Sequence, residues 1–210
     1  MAETTLSGRV AIGCDMFHIA KNLTNTAEGC TYETPREIPI NAVTNDSAEE
    51  KATYYFSDHK HDVVVVGNGD EEISFVASQI PLKDLADLIG QKYENGAMLV
   101  GAKDKALWAC MWRTTLSDKS HRYHCAMLCD FTRPANSGAT MEGTNGTMLE
   151  LTASVYFTVK EWALTGGVKK ALMYTQMDEA DAPQSVDLDT KWFEAVPTPE
   201  AIAAFATVSG

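Results

Sequence analysis

The segment from Lys105 to Arg133 constrains the fold of this chain more than any other, because its pattern predicts a hairpin with two apolar faces. In the first arm, residues 107–112 are apolar on both sides of the strand alternation, and the second arm, Tyr123 to Phe131, is nearly as apolar. The polar residues 117–120 between the arms predict a turn. An antiparallel strand normally keeps one face in water, so we expect a helix or another subunit to cover the second face.

Alternating apolar residues predict further strands elsewhere in the chain. The pattern is clearest over 148–159, and it also favours strands over Arg9–Met16 and on either side of Gly67–Asp70, a predicted hairpin turn. Residues Pro81 to Gly90 are instead predicted to form a helix, because proline suits the first helical position, one stripe is apolar and glycine suits the stop. The residues alone therefore predict strands as the main element, with one short helix.

The composition is that of an ordinary globular protein. With 210 residues, of which 45% are hydrophobic, the chain can bury a real core as a single domain, residues 1–210. The five cysteines are odd in number and lie mostly in apolar patterns, so we expect buried, reduced thiols. The sequence shows neither a leader pattern nor a long apolar run, so we expect neither secretion nor membrane insertion.

The net charge of −12 is distributed unevenly along the chain. Residues 101–135 carry six basic and three acidic groups, whereas residues 178–210 carry seven carboxylates and one lysine. A chain this acidic repels phosphate backbones, which argues against a function in nucleic-acid binding.

Four residues, His121, His124, Cys125 and Cys129, invite interpretation as a metal site, but strand geometry argues against it. On a strand that rises about 3.3 Å per residue, His121 and Cys129 are more than about 25 Å apart, too far for one zinc ion to bridge. The cysteines lie in patterns too apolar for a reactive thiolate, and no pair of carboxylates is arranged for acid–base chemistry. We therefore predict no metal, no cofactor and no catalytic residue, and a protein that is not an enzyme.

Residues 44–58 combine a polar stretch with an aromatic cluster. The part from Thr44 to Lys51 is strongly polar without a clear glycine or proline break, and Tyr54, Tyr55 and Phe56 follow it closely. Solvated excursions of this kind often carry contacts with other molecules. We therefore predict a long loop with an interaction role.

A series of short motifs runs in a fixed order through most of the chain. They are Tyr32-Glu33-Thr34-Pro35, Ile38-Pro39-Ile40, Tyr54-Tyr55-Phe56-Ser57-Asp58, the helix Leu82 to Gly90, Tyr93 with Gly96, Phe131-Thr132-Arg133-Pro134, the strand Leu149 to Ser154, Trp192-Phe193 and Val196-Pro197-Thr198-Pro199. In this order and spacing they resemble the major tail (tail tube) proteins of long, non-contractile-tailed bacteriophages. Pro39-Ile40-Asn41 departs from the Pro-Gly expected at that point.

The resemblance implies an antiparallel β-sandwich or barrel flanked by one short α-helix, with an extended loop and terminal arms. Such subunits form six-membered rings that stack into a hollow tube, the conduit for DNA ejection, and neighbouring subunits would cover the apolar strand faces. Residues 44–58 would correspond to the loop between rings and residues 177–210 to a C-terminal arm. The predicted ring-stacking and subunit-interface residues are Ser47, Glu49, Lys51, Tyr54, Tyr55, Phe56 and Asp58.

The same resemblance implies partners and a location. The partners would be further copies of the chain together with tape-measure and tail-terminator proteins, while DNA passes without specific binding. The location would be the virion tail, and the bacterial host cytoplasm during assembly. We expect the cations Lys103, Lys105, Lys119 and Arg122 at subunit boundaries, paired with acidic groups of neighbours.

Two other functions stay open at this point. One is a tube subunit of a contractile tail or a secretion system. The other is a monomeric β-sandwich that binds a small ligand or carbohydrate through Tyr54, Tyr55 and Trp162.

Overall fold

The computed structural model describes residues 9–56, 59–77, 80–104, 106–134, 148–164 and 166–205, and for residues 47–70 it describes the backbone alone. These parts of the chain contain thirteen strands and three α-helices, so the predicted mainly β, antiparallel fold class is confirmed. The strands are β1 (Ala11–Asn25), β2 (Cys30–Tyr32), β3 (Arg36–Glu37), β4 (Ala42–Phe56), β5 (His59–Ala77), β6 (Lys92–Glu94), β7 (Ala97–Leu99), β8 (Trp108–Leu116), β9 (His121–Phe131), β10 (Leu149–Val155), β11 (Glu161–Ala163), β12 (Lys169–Ala171) and β13 (Tyr174–Asp178). The helices are α1 (Leu82–Leu88), α2 (Leu188–Glu194) and α3 (Pro199–Phe205).

The chain divides into two compact units, each built from separate stretches of sequence. The first unit comprises Met1–Ile40, Leu107–Leu128 and Phe157–Gly210, and the second comprises Asn41–Ala106 and Cys129–Tyr156. Strand β9 contributes residues to both.

The first unit is organised on β1 and the β8–β9 hairpin, with its described strands in the order β2-β1-β8-β9. β1 and β8 are antiparallel, and Asp15 lies opposite Arg113. β3 adds to β1 and β13 adds to β9, both antiparallel. The hairpin closes at 117–120, where Lys119 adopts a φ of 69°, so the predicted two-strand hairpin is confirmed.

Both faces of the hairpin are buried within the chain itself. Residues Trp108 to Trp112 are at most 3% exposed, and the stretch from Cys125 to Cys129 is fully buried. The cluster that contains Met111 is completed by side chains from α2, α3 and the segment between them, namely Trp192, Phe193, Val196 and Phe205. The expectation that neighbouring subunits supply this cover is therefore wrong for this face, because helices of the same chain supply it.

These covering helices lie inside the predicted C-terminal arm, residues 177–210. The described part of that segment contains a 3-10 turn at Glu179–Asp181, followed by α2 and α3. Asp187 is the N-cap of α2, and its side chain accepts a hydrogen bond from the backbone N–H of Asp189. The sequence predicts one helix, and these two are additional. A contact of this segment with a neighbouring subunit stays a prediction.

In the second unit, the described strands run in the order β9-β10-β5-β4, and the described pairings do not close into a barrel. Leu151 lies opposite Phe75, and Phe75 meets Phe131 edge to face at 5.6 Å between ring centroids. All three side chains are fully buried, since strand alternation turns them to one side of the sheet. The predicted strand at 148–159 is confirmed as β10, although it ends at Val155.

Helix α1 confirms the predicted helix in the second unit. Leu88 and Ile89 of its apolar stripe are buried, as the short helix requires, whereas Leu82 at its start is 44% exposed. Gly90 follows with a φ of 65°, and a Cβ at this position would lie 2.1 Å from the backbone oxygen of Asp104. Glycine is therefore required at this stop on two grounds, the left-handed backbone and the close approach.

The predicted turn at Gly67–Asp70 is wrong. These residues lie within β5, where Gly67 pairs with Glu50 and Asn68 pairs with Glu49. Register shifts on either side of these pairs mark bulges, which glycine favours for the same conformational freedom that makes it common in turns.

Candidate assembly surfaces

Strands β4 and β5 form one long antiparallel ribbon. They pair from Ala42, opposite Val76, to Phe56, opposite His59. β10 pairs with β5 only between Glu71 and Ala77. Among the described residues, 47–56 pair only with β5 and 59–70 pair only with β4, and we call this two-stranded part the β4–β5 ribbon.

The ribbon is long for two strands that no third strand pairs with among the described residues. At about 3.3 Å per residue, the ten residues of 47–56 extend for about 30 Å. A two-stranded ribbon on its own is marginally stable in water and gains stability from a third strand or from packing. Contact with the surface of another molecule would supply the third strand or the packing that the ribbon lacks among the described residues.

Six of the seven predicted interface residues lie on this ribbon. β4 carries Ser47, Glu49, Lys51, Tyr54, Tyr55 and Phe56, while Asp58 lies outside the described residues. The structure thus brings the six together on one strand in place of the predicted irregular loop. Whether they contact another subunit stays a prediction.

A second set of contacts fixes the acidic C-terminal segment to the first unit. Arg113 donates to Asp15 from Nε at 2.8 Å and from Nη2 at 2.7 Å, and to Asp189 from Nη1 at 2.6 Å. The Tyr123 hydroxyl also donates to Asp189, at 2.7 Å. Bidentate geometry of this kind is the strong form of an ion pair.

This cluster changes the proton affinity of its members. Burial opposes ionisation of Asp189, but hydrogen bonds from Tyr123 and Arg113 lower its pKa below the ordinary value. The pKa of Tyr123 is raised, first by burial and then by its bond to Asp189, so its hydroxyl remains a donor.

A further ion-pair cluster lies at the other end of the segment. Arg122 binds Asp178 through two contacts, one of them from Nη2 at 2.9 Å, and Arg9 lies 3.9 Å from the same carboxylate. The bond from Arg122 lowers the pKa of Asp178. Glu179 accepts the backbone N–H of His121 at 3.0 Å. The basic hairpin and the acidic C-terminal segment therefore pair within one chain, which explains the uneven charge of the sequence.

These pairings correct part of the prediction for the four cations. Arg122 pairs with Asp178, and Lys103 pairs with Asp130 and with the backbone oxygen of Phe131, all within the chain. The prediction that Arg122 and Lys103 pair with acidic groups of neighbouring subunits is therefore wrong, because their partners lie in the same chain. Lys105 lies outside the described residues, and Lys119 is exposed.

His124, one of the residues considered for a metal site, is packed against an aromatic ring. Its imidazole stacks on Trp112 with 4.9 Å between ring centroids and 4° between planes, and neither ring nitrogen has a hydrogen-bond partner in the described structure. Burial and the nearby Arg122 lower the pKa of His124 to about 4. The ring is therefore neutral at neutral pH.

The remaining groups with potential chemistry are mostly buried. Cys30, Cys110, Cys125 and Cys129 are buried thiols, and burial raises the pKa of Cys30, which disfavours the thiolate. The described residues contain no group of three or more His, Cys, Asp or Glu side chains placed to hold a metal ion. Among the helices described, none is long and apolar enough to cross a membrane.

Trp162 does not offer a ring face for ligand binding. It is 2% exposed, its Nε1 donates to Glu200, and the Lys160 ammonium lies over its ring at 5.3 Å from the centroid. The ligand-binding alternative thereby loses one of its three proposed residues.

Sequence reasoning missed the role of Arg113 and placed the acidic segment outside the core. The available signal was the charge contrast between 101–135 and 178–210, together with Trp192 and Phe193 beside it. Opposite charges on two segments that also carry large apolar residues are consistent with docking between them.

Comparison with known proteins finds similar solved structures but no matching family. No protein-family model matches the chain, and no curated protein matches it. Similar solved structures include the tube-terminating cap of the anti-feeding prophage, which is 10% identical with a TM-score of 0.49 over 85% of this chain and 99% of that one. They also include two chains of an extracellular contractile injection system, PVC. Its sheath/tube terminator is 10% identical (TM-score 0.48, 80% of this chain and 97% of that one), and a chain of its sheath–tube complex is 12% identical (TM-score 0.46, 78% and 88%). At these levels the likeness concerns the course of the chain and assigns no function.

Proposed function

We propose that this chain is a structural subunit of a phage-tail-type tube. Copies of it assemble into six-membered rings, the rings stack into a hollow tube, and the tube conducts DNA without binding it specifically. The β4–β5 ribbon makes the contact between rings. In the virion tail, tape-measure and tail-terminator proteins would be its further partners.

The single observation that carries this proposal is the ribbon. A pair of strands about 30 Å long with no third strand among the described residues exposes two backbone edges and two faces. Exposed edges of this length favour pairing with other chains, and a tube supplies such pairing in an ordered way. The motif series of the sequence, which includes Tyr54 to Asp58 in β4 and just after it, supports the same function.

The test is to shorten the ribbon without disturbing its base. Ser47 pairs with Glu71, so replacing residues 48–70 by Asn-Gly leaves two strands that a type I′ turn can join. We expect the free subunit to keep its fold and its thermal stability, because β5 still pairs with β10 from Glu71 onward. Negative-stain imaging and sedimentation should show rings but no long tubes.

A partial truncation sharpens the same experiment. Ala52 pairs with Val64, so replacing residues 53–63 by Asn-Gly removes Tyr54, Tyr55 and Phe56 but keeps the lower ribbon. Loss of tubes in this variant too would assign stacking to the ribbon tip. Full tubes from both variants would refute the role of the ribbon. An unaltered chain that stays monomeric at high concentration would refute the proposed function, and single rings that never stack would indicate a terminating role instead.

A further inference from the structure

Two exposed surfaces of the chain carry opposite charges that no described residue neutralises. One is the tip of the β11–β12 hairpin in the first unit, and the other is one face of the β10-β5-β4 sheet in the second unit.

The β11–β12 tip is a firmly held basic hairpin. Its strands pair through Trp162 opposite Lys170, and its turn contains Gly166 and Gly167, both with positive φ. The buried Trp162 anchors it through Glu200, to which Lys160 also binds at 2.6 Å. A hairpin anchored in this way presents its outer residues in a fixed geometry.

The outer residues of this tip are Val168, Lys169 and Lys170. Val168 is 51% exposed, and both lysines are exposed. Neither ammonium group forms an ion pair with a described residue, in contrast to Lys103, Lys160 and Lys191, which each bind a carboxylate. Because neighbours along a strand point to opposite faces, Lys169 and Lys170 give positive charge to both faces of the tip, next to the exposed Val168. The exposed Glu161 lies at the base of the hairpin, opposite Ala171.

The sheet face in the second unit has the opposite charge. Asp46 lies directly opposite Glu72, and Glu72 lies opposite Ser154 on the next strand, so these three residues form a row across β4, β5 and β10. The neighbouring row contains only hydroxyl side chains, and the row after it contains the exposed Glu150. The other side of this sheet carries Ile73 and its buried neighbours, so the acidic face is the solvent side.

The acidic pair is unfavourable in the isolated chain. Like charges directly opposite each other on neighbouring strands destabilise a sheet. Asp46, Glu72 and Glu150 are all exposed, and none forms an ion pair with a described residue. A cationic partner would relieve this repulsion.

We propose that the β11–β12 tip of one copy docks on the acidic β10-β5-β4 face of the next copy. Because the two surfaces differ and lie on the same chain, the contact is heterologous and can repeat from copy to copy, as closed rings and stacked assemblies require. This inference rests on the proposed self-assembly and names the surfaces that join the copies. The occupant is a second copy because the charges of the two faces are complementary.

The test exchanges charges between the two faces. The tip variant Lys169→Glu/Lys170→Glu and the face variant Asp46→Lys/Glu72→Lys should each raise the protein concentration needed for assembly at least tenfold, because like charges would meet in the contact. Combining all four substitutions restores complementarity and should return that concentration to within threefold of the unaltered chain. A one-to-one mixture of the two separate variants should assemble as well, because each variant complements the other.

A matched control separates this contact from general repulsion. Lys83→Glu/Lys92→Glu makes the same change in net charge as the tip variant, at two other exposed lysines, and should change the assembly concentration less than threefold. Sedimentation velocity measures assembly, and circular dichroism verifies that each variant is folded. If the tip variant assembles like the unaltered chain, or if neither the four-substitution variant nor the mixture regains assembly, the inference is refuted while the proposed function stands. If the unaltered chain does not assemble, both fall.

Discussion

The β8–β9 hairpin and the β4–β5 ribbon are both long antiparallel pairs, but only the hairpin is enclosed by its own chain. The hairpin strands lie between other strands, and α2 and α3 cover one of their faces. Over 47–56 the ribbon has no third strand within the described residues. The hairpin therefore buries its apolar faces within the subunit, whereas the ribbon has backbone edges that no described strand pairs with.

Truncating a buried side chain of α2, which covers the hairpin, should have the largest effect on the stability of the subunit. Trp192 is fully buried in the cluster with Met111, and its Nε1 donates to the backbone oxygen of His124 at 3.2 Å. We expect Trp192→Ala to lower the free energy of unfolding by about 3–5 kcal/mol, through lost burial and a cavity. Urea denaturation of the free subunit measures this.

The control for that experiment is a truncation on the surface. Val168→Ala removes an apolar side chain that is 51% exposed, and should change the free energy of unfolding by less than about 0.5 kcal/mol. A loss below about 1 kcal/mol for Trp192→Ala would mean that the C-terminal helices are not the cover on which the comparison depends.

Lowering the pH should reduce the free energy of unfolding by a somewhat smaller amount, because His124 becomes protonated in the unfolded chain. Its pKa is about 4 in the folded protein against 6.5 ordinarily, so the unfolded chain binds more protons between these values. The contribution of His124 to the free energy of unfolding is therefore fully present above about pH 6.5. It is lost as the pH falls towards 4, by about 3 kcal/mol in all. The carboxylates of Asp178 and Asp189, whose pKa values are lowered, contribute their loss only at lower pH.

The variant His124→Phe isolates this dependence. Phenylalanine can keep the stack on Trp112 but cannot be protonated. We expect denaturation curves at pH 7 and pH 4.5 to lie closer together for this variant than for the unaltered chain. An unchanged separation would assign the acid sensitivity to other groups.

The smallest of the three effects should come from the ion pairs that hold the acidic segment. Arg113→Met keeps the apolar stem but removes the bonds to Asp15 and Asp189, whose carboxylates are nearly half exposed and can be rehydrated. We expect a loss of about 1–2 kcal/mol in the free energy of unfolding. A double-mutant cycle with Asp189→Asn should give a coupling of at least about 0.5 kcal/mol, and strict additivity would show that the pair does not fasten the segment.

The sequence predicted those elements whose signals are local. α1 has its proline, apolar stripe and glycine within ten residues, and the β8–β9 hairpin has its alternation and polar turn within thirty. The ribbon lacked such a signal, because Thr44 to Lys51 is polar on both sides of any alternation and becomes a strand by pairing with β5. Propensity does not reveal a register that is set by a partner strand.

The same reason explains the misplaced turn and the strand that was predicted as a loop. Gly67–Asp70 has the composition of a hairpin turn, yet these residues are bulges because the longer pairing of β4 with β5 satisfies more backbone groups. The predicted interface residues from Ser47 to Phe56 lie in a strand and not in a loop, and their contact with another subunit stays a prediction. The partners of Arg113 are 98 and 76 residues away, distances at which a single sequence carries no pairing information.

The sequence separation between the hairpin and its cover has a consequence during synthesis. Trp192 follows the end of β9, Phe131, by 61 residues (192 − 131), so the hairpin leaves the ribosome before the side chains that enclose it. At about 5–20 residues per second, its apolar face waits roughly 3–12 seconds for cover. In that interval the uncovered apolar face is a surface to which chaperones can bind.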